Sequence, residues 1–412
     1  MFFTAKPTIT LILQHFVVIV KMVYPQYNTQ AMSGIDQKTI WIVFVSTAIF
    51  ACVFVVSLSE ISVAQIDDLS TMTAFTENSL GQNQARAKHA PIKVKGLYLT
   101  AYSAGNLKKI DEIIGLIERT ELNSIVIDIK DYSGYVLYDS QLPFVIKNKL
   151  KDTRVKNMRA LIAKLKSHNI YTIARVSSFQ DPILAEKKPE WAIKSKSDPT
   201  KSWRDKNNLA WVNAARPEIW DYIVSIAKEA AKLGFDEINL DYIRFPTDGN
   251  MSDILYELGG RQRYEVIADF FKYFSEQMKD QPVYLSADLF GLTTEKYGED
   301  DMRIGQRLGD AVKFFDYVCP MVYPSHYPAN YLNFKNPADH PYEVVYSAMS
   351  AGVKQASGQK ARLRAWVQAF NMGAIYDSDK ISAQIRASDD ARADGWILWN
   401  ARNVYSDVGL AQ

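Results

Sequence analysis

Short β-branched runs in this chain carry polar or ionisable residues at every second position. Asp128 and Lys130 alternate with Ile125, Ile127 and Ile129; Asn239 and Asp241 alternate with Ile238 and Leu240. Ser286 and Asp288 alternate with Leu285, Ala287 and Leu289, and Arg364, Trp366 and Gln368 with Leu363, Ala365 and Val367. Successive strand residues face opposite sides of a sheet, so each run has one apolar face and one polar face. An unpaired polar group buried in a protein costs several kcal/mol, and an unpaired charge far more. Gathering Asp128, Lys130, Arg175, Asn239, Asp241 and Asp288 on one face therefore points to a solvated, mutually paired site. Ordinary interior ion pairing accounts for Lys130 and Arg175 more readily than for Asp241.

Two carboxyl groups suffice to cleave a glycosidic bond: one protonates the leaving oxygen, and the other attacks the anomeric carbon or activates water. Asp241 and Asp288 fall at corresponding depths of successive runs. Adjacent parallel strands lie about 4.8 Å apart, which favours a retaining pair but leaves an inverting separation open. Arg244, in Asp241-Tyr242-Ile243-Arg244-Phe245-Pro246, is placed to hold the nucleophile ionised by charge pairing, with a structural role as the alternative. Sugar rings present C–H faces that stack on aromatic rings. Trp191, Trp203 and Trp211 follow the third run; Tyr323, His326 and Tyr327 follow the sixth; Trp366, Trp396 and Trp399 lie in the last two. Each alone is more often packing than subsite, but collected at one mouth they would suit a polysaccharide cleft. The expected substrate-binding set is Tyr98, Asp128, Lys130, Arg175, Asn239, Arg244, Tyr323, His326, Trp366, Gln368 and Trp399. His326 has no second ligand at usable spacing, and no cofactor or metal is expected. Nucleotide-cradling glycine loops, a nucleophile elbow and paired-cysteine zinc patterns are absent from the sequence.

These residues need a scaffold, and the chain supplies alternating strand and helix patterns. Strands are expected at 95–103, 124–131, 170–179, 237–245, 283–291, 317–323, 362–370 and 395–401. Helices are expected at 107–120, 155–168, 217–233, 263–279 and 381–394, among others. Eight βα repeats with short loops predict an α/β fold, a (β/α)8 TIM barrel over 91–412. The 412 residues are 48% hydrophobic and 23% charged, ordinary for a globular protein. Lys and Arg number 48 against 46 acids, a net charge of +2 that argues against nucleic acid as the main partner. Cys52 and Cys319 lie in an apolar stretch and a core strand, so neither a disulfide nor a metal site is expected.

Residues 40–58, IWIVFVSTAIFACVFVVSL, carry no charge and match a hydrocarbon core of about 30 Å. Lys6, Lys21 and Lys38 precede this run and Glu60, Asp67 and Asp68 follow it, so residues 1–39 are expected in the cytoplasm and the barrel outside. The membrane is then a partner through this helix, on whose far side the barrel is periplasmic or extracellular. The alternative is a cleaved signal peptide starting at Met32, with Ser62-Val63-Ala64 before the cut, which would make the barrel secreted. Ile49-Phe50-Ala51-Cys52 weakly matches a lipoprotein processing site, but the apolar Val53-Phe54-Val55-Val56 argues against it. Residues 59–90 read as a flexible linker.

Four segments, Lys95-Gly96-Leu97-Tyr98-Leu99-Thr100, Ile127-Asp128-Ile129-Lys130-Asp131, Phe235 through Pro246, and Met321 through Tyr327, together resemble a bacterial glycoside hydrolase family. That family was long known only as a domain of unknown function and is distantly similar to α-amylase-like barrels. The resemblance covers about Lys95 to Tyr405, and Asp241 through Pro246 is its most specific piece. It implies a nucleophile after strand four and an acid/base after strand five, placing Asp241 and Asp288 in those roles. Those enzymes usually carry glutamate at the second position, so Glu295, further along the loop, is a second candidate acid. The expected function is hydrolysis of an envelope or extracellular polysaccharide. A non-catalytic glycan-binding barrel, or another polysaccharide-modifying barrel such as a deacetylase or lyase, stands as the alternative.

Overall fold

The computed structural model describes residues 88–412. The apolar run at 40–58, Cys52 and nearly all of the 59–90 linker lie outside the described residues, within which no helix is long and apolar enough to cross a membrane.

Eight parallel strands close on themselves: β1 (Val94–Leu99), β2 (Ser124–Lys130), β3 (Tyr171–Ser177), β4 (Glu237–Asp241), β5 (Tyr284–Phe290), β6 (Tyr317–Met321), β7 (Arg362–Leu363 and Ala365–Gln368) and β8 (Gly395–Trp399). β1 pairs with both β8 and β2, so the ring leaves no free edge. Helices α1 (Leu107–Glu118), α2 (Met158–Ser167), α3 (Pro217–Leu233), α4 (Arg263–Met278), α5 (Leu308–Phe314), α6 (Pro341–Ala356) and α7 (Ser378–Asp390) each follow one of the first seven strands. α3 runs between two strong signals, a proline at its first turn and Gly234, whose φ of 112° ends it in the left-handed region. Between β2 and α2 the chain inserts Val136–Tyr138 and Lys151–Val155, which extend the sheet beyond β2.

Every expected strand is present, but most end early. The expected 95–103 strand stops at Leu99 because Thr100 caps a short helical turn, Ala101–Ala104, its side chain accepting from the Ser103 N–H. The expected 237–245 strand stops at Asp241 because Tyr242 takes a left-handed φ of 51°. The inserted strand pair and helices α5 and α6 are not among the elements the sequence pattern names.

Side-chain parity follows the sequence pattern. Ile125, Ile127, Ile129, Ile238, Leu240, Leu285, Ala287, Leu289, Leu363, Ala365 and Val367 join one core with the helices. Val94, Tyr98, Val126, Tyr171, Ile173, Tyr317, Cys319, Trp366 and Ile397 cluster separately inside the ring. Cys319 is a free, buried thiol there.

The ring's lower interior also holds a charge pair. Arg364 Nη1 donates to Glu237 Oε1 at 2.8 Å, both side chains fully buried, and the Tyr171 hydroxyl donates to Glu237 Oε2 at 3.1 Å. The Arg364 guanidinium lies 4.0 Å from the Tyr317 ring centre. Removing one partner of such a pair leaves an uncompensated buried charge, at about 3–5 kcal/mol, whereas apolar replacement of both is often close to neutral. Arg364→Met should therefore lower unfolding free energy by about that amount, and Glu237→Leu combined with Arg364→Met should recover most of it in chemical denaturation. Additive losses would contradict a direct pairing.

Candidate active site

The strand register builds the site in rows. Asp128 on β2 lies beside Arg175 on β3, Arg175 beside Asn239 on β4, and Asn239 beside Ser286 on β5. Asp241 and Asp288 stand two residues further on, at the carboxyl end of the barrel where loops open to solvent.

Arg175 is the hub. Its Nη1 donates to Asp128 Oδ1 at 2.6 Å, its Nη2 donates to Asp241 Oδ2, and its Nε lies 3.6 Å from Asp288 Oδ2. Asp241 and Asp288 thus share the Nε–Nη2 edge of one guanidinium, an edge that ordinarily grips a single carboxylate through two bonds. All four groups are almost entirely buried.

One positive charge beside three buried carboxyls favours keeping a proton on at least one of them. Burial first, and then the charge of Asp241, push the Asp288 carboxyl up to about 8 against the opposing pull of Arg175. Asn239 Nδ2 and Trp366 Nε1 both donate to Asp288 Oδ1, at 2.8 and 2.7 Å, so its proton belongs on Oδ2. Asp128, raised chiefly by burial, also accepts from the Tyr98 hydroxyl at 2.5 Å. Asp241 Oδ1 accepts from the Tyr242 backbone N–H at 2.5 Å across the left-handed turn that ends β4. A bulky residue in that conformation is strained, a feature that clusters at functional sites.

Above these groups lies a cleft of about 360 Å³ lined by Arg175, Asp241, Asp288, Arg244, Tyr323, His326, Trp366 and Trp399, all singled out in the sequence. Tyr242, Phe290, Gly291, Leu292, Met321 and Tyr327 complete the lining. Of these, Tyr327 is among the aromatic candidates, and Tyr242 and Met321 fall only within the family-like segments. The others are apolar or lie in loops where alternation carries no information, although Tyr242 follows Asp241 directly. Trp399 stacks on Tyr98 with ring centres 4.0 Å apart and lies 6.4 Å from Tyr323 at a shallow angle, giving the cleft an aromatic wall.

The remaining expected residues lie outside the lining. Tyr98 and Asp128 sit behind Arg175 and hold it, and Asn239 orients Asp288. Lys130 does not bind in the cleft: a bulge after Asp128 shifts the register, and its ammonium bonds the Ser177 carbonyl at 2.7 Å and Asp181 at 2.9 Å. Gln368 is likewise structural, accepting from the Ser325 N–H and donating to the Phe370 and Met372 carbonyls, so it clamps two loops. Glu295 is held by the Tyr331 hydroxyl and does not line the cleft. Arg244 does not pair with Asp241; that contact belongs to Arg175. Among the tryptophans, Trp203 packs in a side cluster, Trp191 stacks on Phe144, and Trp396 faces the helices. Trp211 lines a second cavity. Among the described residues no group of acids, histidines and cysteines is arranged to hold a metal ion.

A closed eight-stranded parallel barrel with paired carboxyls at its carboxyl end is the architecture of a glycoside-hydrolase-like barrel. The chain belongs to the family described as "Putative glycosyl hydrolase domain", whose model matches residues 96–405. The PgaB (BpsB) glycoside hydrolase domain from Bordetella bronchiseptica superposes with a TM-score of 0.54 at 12% identity, over 75% of this chain and 94% of that one. A GH20 exo-β-N-acetylglucosaminidase from Vibrio harveyi gives 0.50 at 12% identity, over 76% of this chain and 51% of that one. At such identities the likeness is one of fold. A hypothetical protein from Ruminiclostridium thermocellum is 39% identical over 47% of this chain and 96% of its own length, with a TM-score of 0.44. No curated protein matches the sequence.

Replacing Arg175 tests the hub directly. In Arg175→Met three buried carboxyls lose their shared cation, so each favours its protonated form more strongly in the folded state than in the unfolded state. A folded state that binds more protons loses stability as pH rises. The stability deficit of Arg175→Met relative to wild type should therefore be several kcal/mol at pH 8 and clearly smaller at pH 5. Thermal unfolding across that range measures it, and a pH-independent deficit would show that Arg175 acts by packing alone.

Proposed function

We propose that the protein is a retaining glycoside hydrolase in which Asp241 attacks the anomeric carbon and Asp288 donates the proton. The single observation carrying this reading is the guanidinium edge that Asp241 and Asp288 share. Both Asp241 oxygens accept hydrogen bonds, from Arg175 Nη2 and from the Tyr242 backbone N–H, the arrangement that suits a nucleophile rather than a proton donor. The raised Asp288 retains a proton at neutral pH, the form a general acid needs. Two carboxyls on one edge are close neighbours, which supports retention: an inverting pair stands about 6.5–9.5 Å apart to admit water.

In the first half-reaction Asp241 Oδ2 leaves its bond to Arg175 and forms a bond to the anomeric carbon. The glycosidic C–O bond breaks as Asp288 gives its proton to the leaving oxygen. In the second, Asp288, now a carboxylate, takes a proton from water, whose oxygen displaces Asp241 and regenerates the acid. The aromatic wall of Trp399 and Tyr323 is suited to a sugar's C–H face. A polysaccharide of the cell envelope or surroundings is the substrate we favour, with the barrel exported behind the apolar segment at 40–58 or after its cleavage.

Asp288→Asn should lower turnover of unactivated glycosides by about 10²- to 10⁴-fold while sparing aryl glycosides whose leaving groups need no proton. In wild type, kcat/KM should fall as pH rises through about 8, where Asp288 loses its proton. Kinetics on a panel of aryl glycosides and polysaccharides reads both. Trapping with 2-fluoro glycosyl donors and mass mapping should label Asp241, and a label on any other residue would remove Asp241 from the nucleophile's role.

A further inference from the structure

Arg244 is nine-tenths buried, and no carboxylate forms an ion pair with it among the described residues. Its Nη1 donates to the Phe245 carbonyl at 3.1 Å and more weakly to Thr247 Oγ1 at 3.4 Å. Three rings surround the guanidinium, with centres at 4.8 Å for Trp211, 5.0 Å for Phe290 and 5.4 Å for Tyr242. The acids near it are all engaged elsewhere. Asp241 is held by Arg175, and Asp248 pairs with Lys206 at 3.2 Å. Asp205 accepts from Trp211 Nε1 at 3.0 Å and from the Asn207 and Leu209 backbone N–H groups.

A buried cation without a counter-charge is costly, and rings offset only part of that cost. Burial shifts Arg244 downward, yet a guanidinium stays charged at any working pH. The side chain also stands at a boundary. It lines the catalytic cleft and also an adjoining cavity of about 350 Å³, whose walls include Trp211, Gln180, Thr247 and Asp248. Its free N–H groups are therefore available to a ligand that spans the two.

Building on the proposed hydrolase reading, we infer that Arg244 receives an oxyanion on the substrate, so that the preferred glycan carries a charged group on the sugar beside the scissile bond. A carboxylate is planar and matches the guanidinium fork with two parallel hydrogen bonds; a sulfate or phosphate ester presents similar oxygens in a different shape. The aromatic collar fits this role. It excludes water from the contact, which strengthens a charge-assisted hydrogen bond, and it holds the fork in one plane.

The test is direct binding to the full chain, read by tryptophan fluorescence and calorimetry, so it does not depend on turnover. The probes are trigalacturonate and its methyl ester, a glucuronate-containing disaccharide and its carboxyl-reduced form, and glucose 6-sulfate and glucose 6-phosphate against glucose. At least one acidic probe should bind wild type about 10- to 100-fold more tightly than its neutral counterpart, the range expected for a hydrogen-bonded charge. Arg244→Gln should erase that preference and Arg244→Lys should keep part of it, with unchanged thermal midpoints confirming that both variants fold. The acidic probe that binds best identifies the oxyanion as carboxylate, sulfate or phosphate. Equal binding of acidic and neutral members of every pair, or a preference that survives Arg244→Gln, would overturn the inference. Anion binding through Arg244 in a protein that cleaves no glycoside would refute the hydrolase reading and leave this one standing. Glycoside cleavage by a protein that treats acidic and neutral probes alike, with neither affected by Arg244→Gln, would do the reverse.

Discussion

One guanidinium shared among three buried carboxyls is the constraint around which the upper barrel is organised. Arg175 contacts Asp128, Asp241 and Asp288, each on a different neighbouring or next-neighbouring strand. Such a cluster cannot be dry and fully ionised, because one positive charge does not balance three negative ones at low dielectric. The surroundings resolve the conflict asymmetrically. Asp241 receives a guanidinium N–H and a backbone N–H, whereas Asp288 receives its two hydrogen bonds on one oxygen and stands further from Arg175. That difference in partners sets the raised Asp288 carboxyl apart from its chemically identical neighbour.

The supporting residues explain why the arrangement is rigid. Tyr98 fixes Asp128, Asn239 and Trp366 fix Asp288, and the turn at Tyr242 fixes Asp241. Beneath them, Glu237 and Arg364 form a second, closed charge pair that solvent does not reach. The two clusters differ in one respect that matters for function. The lower one is fully buried, while the upper one opens into a cleft with an aromatic wall.

Alternation in the strands made the barrel, the inner face and the two carboxyls legible, because period-two patterning is a direct record of which side meets the helices. Arg175, Asp241, Asp288, Trp366 and Trp399 all stand where that pattern places them. What failed did so for local reasons. Lys130 has the right parity, yet a bulge after Asp128 turns it to Asp181, and a bulge leaves no mark in alternation. Gln368 has the right parity but lies level with the loops it clamps. Arg244 sits three residues beyond Asp241 and suggests a charge partner for it. The left-handed turn at Tyr242 instead carries Arg244 into an aromatic collar. The cleft residues Phe290, Leu292 and Met321 are apolar positions at strand ends, indistinguishable in sequence from core.

The account stands on Asp288 keeping its proton at neutral pH beside Asp241. Isotope-edited infrared spectroscopy with ¹³C-labelled aspartate reads this directly from the protonated-carboxyl stretch. The wild-type minus Asp288→Asn difference spectrum should show a carboxyl band at pH 7 that is lost on titration through about 8. A difference spectrum in which that band is already gone by about pH 6, as for an unperturbed carboxyl, would contradict it.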